Sequence, residues 1–123
     1  MTSFARSERV AQNMQMALMD ILRKNIKDPR LEMVTITKIK LTNDLKIARV
    51  YFALAGSQKS IKDAENGFKS AHGYLKRTLG RELELRYMPK LEFFYDDSFD
   101  YASKINQLFR SIEDDDKKDS SSN

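Results

Sequence analysis

Between residues 69 and 81 the chain carries Lys69, His72, Gly73, Lys76, Arg77, Gly80 and Arg81. These residue types suit contact with phosphate. An arginine guanidinium grips a phosphate through two parallel N–H donors, and a lysine ammonium adds a point charge. Glycine lets another backbone approach closely. At 100° per residue, Gly73, Arg77, Gly80 and Arg81 share the helix side opposite Leu75, Leu79 and Leu83. A plain solvated helix face would carry similar residues, so the rest of the chain has to decide between the two readings.

Catalytic constellations are harder to assemble. His72 is the only histidine, and a lone histidine at a bend fits a structural or stacking role better than catalysis. Asp96, Asp97 and Asp100 invite comparison with a magnesium site, which would make the chain a metal-assisted enzyme acting on RNA. Asp97-Ser98 is better explained as a helix start, where acids complement the helix dipole. No serine has a neighbouring base in the sequence. There is no glycine-rich phosphate cradle, and the absence of cysteine excludes thiolate nucleophiles, disulfides and cysteine-ligated zinc. The reading is a non-enzyme with no cofactor and no metal. Among the aromatics, Phe52, Phe68, Phe93 and Phe109 sit on apolar stripes and read as core. Tyr51, Tyr74 and Tyr87 are candidates for stacking on bases.

The elements that must position these residues follow from hydrophobic spacing. A helix is expected over residues 7–27, with Ser7 as N-cap and Asp28-Pro29 as its stop. Val10, Met14, Ala17, Leu18, Ile21 and Leu22 form its buried side, and Met16 falls off the stripe. Residues 34–41 alternate as a strand, with a phase slip that a bulge near Thr37-Lys38 would repair. A turn at Thr42-Asn43-Asp44 leads to a second strand over residues 45–54, paired antiparallel with the first. Residues 60–85 read as one helix broken at Ala71-His72-Gly73, since a mid-helix glycine costs about 1 kcal/mol relative to alanine. Its buried stripe is Ile61, Ala64, Phe68, Ala71, Leu75, Leu79 and Leu83. A third strand over residues 91–95 follows a long crossover and should pair parallel with the second. A last helix, started at Asp96-Asp97-Ser98 and running to about residue 112, docks through Ala102, Ile105, Leu108, Phe109 and Ile112. The expected fold is α+β, with helices on one face of a three-stranded mixed sheet. The hairpin and the helix–bend–helix crossover resemble the type II KH arrangement, in which a loop between two helices clamps a nucleic-acid backbone. Ala71-His72-Gly73 stands where that loop would be.

Charge points the same way. The 123-residue chain has a net charge of +4, but residues 113–123 hold five acids and two lysines, which leaves residues 1–112 at +7. A basic body with an acidic tail suggests a polyanionic partner, most often nucleic acid. The division expected is a folded RNA-binding domain over residues 1–112 and a disordered acidic tail over 113–123. No apolar run approaches a membrane span of about 20 residues, and residues 1–30 lack a signal-peptide core. A cytoplasmic, membrane-free monomer is expected. Arg30, Lys38, Lys40 and Arg49 form a second, weaker set of RNA contacts, joined by Tyr74.

Several short motifs, in order, are similar to the ribosome-binding factor A family over roughly residues 6–112. They are Asp28-Pro29-Arg30-Leu31, Val34-Thr35, Asp44-Leu45 with Ala48 and Val50, the Ala71-His72-Gly73 bend, and Leu79-Gly80. They continue through Leu85-Arg86-Tyr87-Met88-Pro89, Leu91-Glu92-Phe93 and Tyr95-Asp96-Asp97-Ser98. A glycine that many members carry near Ala102 is absent here. The resemblance implies a type II KH-like fold with an Ala-x-Gly kink. It further implies a non-catalytic, bacterial-type cytoplasmic factor that binds small-subunit ribosomal RNA and the immature small ribosomal subunit late in maturation and rRNA processing. It implies support of growth in the cold, and leaves room for other assembly factors, a GTPase among them, as partners. The competing class is a general KH-like RNA-binding protein or a protein-interaction module using the helix faces.

Overall fold

The computed structural model describes residues 3–55, 60–98, 106 and 108–110. Two long helices and a three-stranded sheet share one core. Helix α1 (Ser3–Lys24) buries Ser7, Ala11, Met14, Leu18 and Ile21, alternating steps of four and three that draw one stripe along it. The helix begins before Ser7, so that serine lies inside α1 at 3% exposure and is not its cap. It also ends before Lys27, with Arg23 and Lys24 in the last turn. Asp28 instead caps a 3-10 turn (Pro29–Leu31), accepting from the Arg30 amide at 2.9 Å, with Pro29 at the first position.

Strands β1 (Val34–Leu41) and β2 (Ile47–Leu54) pair antiparallel, and β3 (Lys90–Tyr95) pairs parallel with β2, giving the order β1-β2-β3. Leu45 is not the start of β2. Its φ of 61° makes it a left-handed turn residue, held by its amide donating to the Thr42 carbonyl at 2.8 Å. The expected bulge is present between Ile36 and Lys38. Its freed carbonyls are not left bare: Gln15 Nε2, from α1, donates to the Ile36 oxygen at 3.0 Å and to the Thr37 oxygen at 3.2 Å. Val34, Ile36, Ile39, Ala48, Val50, Phe52 and Leu91 face both helices and form the core with them.

Helix α2 (Ser60–Leu83) runs unbroken through Ala71-His72-Gly73. The expected break into two helices does not occur. Gly73 is exposed, and its propensity cost is offset by Phe68, Leu75 and Leu79, each at 0–1% exposure on the opposite side. α2 ends in a left-handed cap at Glu84, φ 52°. The Glu84 amide donates to Arg81 O at 3.3 Å and the Leu85 amide to Gly80 O at 3.2 Å, a Schellman pair built without glycine. Of the last helix, Ser98, Asn106 and residues 108–110 are helical. Leu108 and Phe109 are 64% and 61% exposed, so Phe109 is not a core residue. The expected roles of Ala102, Ile105 and Ile112, and the tail over residues 113–123, lie outside the described residues.

Two glycines of α2 should respond oppositely to alanine. At Gly67 an added Cβ would stand 3.0 Å from Leu31 Cγ and Cδ2, and Leu31 is 3% exposed with little room to move. At Gly73 it would meet only the Arg77 guanidinium, at 3.3 Å. Gly67→Ala is expected to destabilise by about 1–2 kcal/mol, overpacking outweighing helix propensity. Gly73→Ala should stabilise by about 0.5–1 kcal/mol. Urea unfolding of the two variants beside the parent checks both signs.

Candidate nucleic-acid interface

One long edge of α2 carries the residues of interest. Glu65, Lys69, His72 and Lys76 follow one another at helical spacing along the side that borders β3. The first half of this edge overhangs a groove of ≈ 460 Å³ lined by Glu65, Phe68, Lys69, His72, Leu91 and Phe93. Its floor is aromatic: Phe68 and Phe93 stack with centroids 4.2 Å apart. His72 stands edge-on to Phe93 at 6.4 Å, and its Nε2 lies 3.4 Å from the Leu91 carbonyl. A carbonyl only accepts, so this contact requires the proton on Nε2. The second half of the edge borders a groove of ≈ 660 Å³ lined by Lys76, Arg77, Gly80, Arg81, Leu85 and Met88. Met88 Cγ lies 3.1 Å from where a Gly80 Cβ would be, so Gly80 is a packing glycine that lets the chain after α2 fold back.

Lys69, Arg77 and Arg81 are exposed and Lys76 is half-buried. The ion pairs among the described residues are Lys24–Asp20 and Arg30–Asp28, so none of these four cations is neutralised by one. Arg77 lies back across Gly73, one turn earlier. The structure therefore brings Lys69, His72, Lys76, Arg77 and Arg81 to one grooved edge, with Gly73 beside them.

The second set is scattered. Tyr74 faces the end of α1, where its hydroxyl accepts from Asn25 Nδ2 at 3.2 Å, and it does not border the arginine groove. Arg30 is held by Asp28 through Nε at 3.0 Å and Nη2 at 2.7 Å, which draws the Asp28 carboxyl below its ordinary range. Lys38, Lys40 and Arg49 lie on the sheet face turned away from the helices. Three features of the site escape the sequence reading. They are the Phe68–Phe93 floor as a groove lining, Met88 over Gly80, and Phe94, whose position one step from Phe93 in a strand puts it on the opposite face.

Asp96 is a clasp. Its Oδ1 accepts from Ser98 Oγ at 2.6 Å and from the Ser98 amide at 3.0 Å, while Oδ2 accepts from Thr37 Oγ1 at 2.6 Å. It therefore ties the end of β3 to the bulge in β1. The hydroxyls of Ser98 and Thr37 hold its carboxyl down from 3.8 to about 2. The folded state thus favours the carboxylate. Its stabilisation is complete above the unfolded aspartate value, near pH 4, and is lost as pH falls through about 2. Asp96→Asn is expected to cost about 2 kcal/mol at pH 7. The difference between variant and parent should shrink towards zero by pH 2, read from urea unfolding across that range.

Fold and site together define a small α+β protein with a basic, grooved helix edge bordering the free side of a mixed sheet. Comparison with known proteins supplies the family. The family model for ribosome-binding factor A matches residues 6–109, and the chain belongs to that family. It is 52% identical over 113 residues to the ribosome-binding factor A of Desulfatibacillum aliphaticivorans, covering 91% of each chain. The solution structure of a Thermotoga maritima protein given the same family name superposes with a TM-score of 0.67, at 26% identity over 76% of this chain and 89% of that one. A homology model of the Thermus thermophilus factor, fitted into a cryo-electron-microscopy map of its complex with the 30S particle, superposes at 0.63. Its identity is 23%, over 74% of this chain and 96% of that one.

Proposed function

We propose that this chain is a non-catalytic assembly factor that binds small-subunit ribosomal RNA on the immature small ribosomal subunit, through the grooved edge of α2. The observation that carries the reading is the row Lys69, Lys76, Arg77 and Arg81, four cations without ion-pair partners among the described residues, beside two grooves. Such a row neutralises successive phosphates. Family membership supports the ribosome as the source of that RNA, as does the Thermus factor's complex with 30S. The helix pair of type II KH domains is represented here by a single α2 whose Ala71-His72-Gly73 stretch lies beside β3. His72 positions that edge against β3, and Gly73 keeps the backbone open to RNA.

In this reading the RNA-binding domain spans residues 1–112, and residues 113–123 are an acidic tail. The factor acts as a monomer in the cytoplasm, late in rRNA processing, and supports growth in the cold. Other assembly factors, including a GTPase, meet it on the particle. None of the described helices is long and apolar enough to cross a membrane. The test is sedimentation of a cell extract on a sucrose gradient. Cofractionation with free small subunits, and not with complete ribosomes, is the expected outcome. A chain that stays at the top of the gradient, or that tracks complete ribosomes, overturns the proposal.

A further inference from the structure

The sheet has a second face, away from the helices, and its composition is unusual for a bare surface. Strand register sets Lys38 opposite Tyr51, and Tyr51 opposite Phe94. One step along, it sets Lys40 opposite Arg49, and Arg49 opposite Glu92. The first row is aromatic and continuous. Lys38 Nζ sits 4.7 Å from the Tyr51 ring centre, and the Tyr51 and Phe94 rings are 5.6 Å apart, inclined by 31°. Phe94 is 42% exposed in a protein that seals Phe52 and Phe68 at 0–1%. The second row is cationic, with Glu92 as its one carboxylate. Lys38, Lys40 and Arg49 are exposed and take part in no ion pair among the described residues.

Cross-strand packing alone accounts for an aromatic pair. It does not account for three exposed cations around that pair, none in an ion pair with a described residue, against the two carboxylates nearby, Glu92 opposite Arg49 and Asp96 within electrostatic reach of Lys38. Flat rings that accept any base, beside cations that accept phosphates, are what a single-stranded nucleic acid needs. Duplex offers its phosphates but keeps its bases stacked inside. From this juxtaposition we infer that the outer face of the sheet is a second RNA contact, which takes unpaired bases on Phe94 and Tyr51 and the adjoining phosphates on Lys38, Lys40 and Arg49. The inference rests on the RNA-binding reading above and adds the class of RNA. This face and the α2 edge lie on opposite layers of the fold, so a short single strand on one leaves the other free for a separate segment. The factor would then hold a structured phosphate backbone at α2 and an unpaired strand at the sheet.

The test uses the full chain and a single-stranded 12-nucleotide oligoribonucleotide, with a duplex of the same composition and isolated small subunits as comparisons. Phe94→Leu keeps an apolar side chain but removes the ring, and Phe94→Tyr keeps the ring. The parent should prefer the single strand. Phe94→Leu should weaken it by about fivefold to a hundredfold, the range for one stacked base. Phe94→Tyr should stay within about twofold of the parent, because every ring offers a stacking face. Lys40→Gln with Arg49→Gln, both exposed, should flatten the salt slope by about 1.4, which keeps the test decisive where Phe94→Leu unfolds. Arg77→Ala with Arg81→Ala should weaken the duplex more than the single strand and so keep the single-strand preference. Equal binding of the single strand by the parent and a folded Phe94→Leu overturns this inference alone. So does a preference for duplex. A loss seen only with small subunits, and not with the oligonucleotide, assigns the face to a protein partner and also overturns it. A parent that binds no RNA removes both this inference and the function on which it rests.

Discussion

Replacing Arg77 and Arg81 together by alanine is expected to flatten the salt dependence of RNA binding while leaving the fold intact. If Lys69, Lys76, Arg77 and Arg81 each meet one phosphate, log affinity should fall with log salt at a slope of about −3. Between 50 and 200 mM salt that is a loss of about fifty- to a hundredfold. The double variant should lose roughly 1.4 from the slope. Neither arginine is buried or ion-paired with a described residue, so the melting temperature should stay within about 5 °C. RNA affinity against salt for both proteins, with melting curves alongside, gives the answer. Parallel slopes would move the principal RNA surface to Lys38, Lys40 and Arg49. A collapsed melting curve would mean that the arginines serve the fold.

The largest stability effect should come from Phe68→Ala. Phe68 is 1% exposed, stacked on Phe93 at 4.2 Å and packed against Phe52 at 5.0 Å. It is both a core residue and the floor of the groove beneath His72. Truncation removes a buried ring and leaves a cavity between α2 and the sheet, at a cost of about 3–5 kcal/mol. The melting temperature should fall by about 10–20 °C. Phe68→Leu fills most of that volume and should cost no more than about half as much. Thermal unfolding of the two variants separates cavity from chemistry. Equal, small losses would show that the helix settles onto the sheet without the ring.

The sheet was readable because alternation leaves little freedom. The phase slip between Ile36 and Ile39 located the bulge, and the hairpin and long crossover dictated the antiparallel and parallel pairings. The buried stripe of α2 was readable for the same reason. No break forms at Gly73 because the packing of Phe68, Leu75 and Leu79 outweighs a glycine's local cost, and spacing alone does not carry that weight. Of the glycines that do matter for packing, Gly67 meets Leu31, a residue distant in sequence, and no local pattern announces it. Tyr74 reads as a stacking candidate because residue type and helical position are blind to the end of α1, where Asn25 claims its hydroxyl. Phe109 was counted as core from spacing alone, and spacing does not say whether a helix near the chain end has a partner surface. The basic edge itself was legible, since one helix carries all of it. The aromatic row on the outer sheet was only half legible: Tyr51 stood out, while Phe94 becomes its neighbour only once β3 is paired.

The bulge at Thr37 draws its partners from both ends of the fold, Gln15 upstream and Asp96 downstream. That arrangement puts a timetable on a chain made from its N-terminus. Once residue 54 has emerged, the hairpin can pair, and Gln15 is already present to receive the displaced carbonyls, so the register of β1 against β2 is fixed early. The Thr37 hydroxyl must wait for Asp96, and its partner in the interval is the Tyr51 carbonyl across the hairpin, 3.3 Å away. Closure is therefore expected after the hairpin, when β3 adds to the sheet and brings its carboxylate to the bulge. Pulsed amide exchange during refolding should find the hairpin amides of Tyr51 and Lys40 protected before that of Asp96, which donates to Phe52 O at 2.7 Å. Simultaneous protection would mean that the two halves of the sheet form as one.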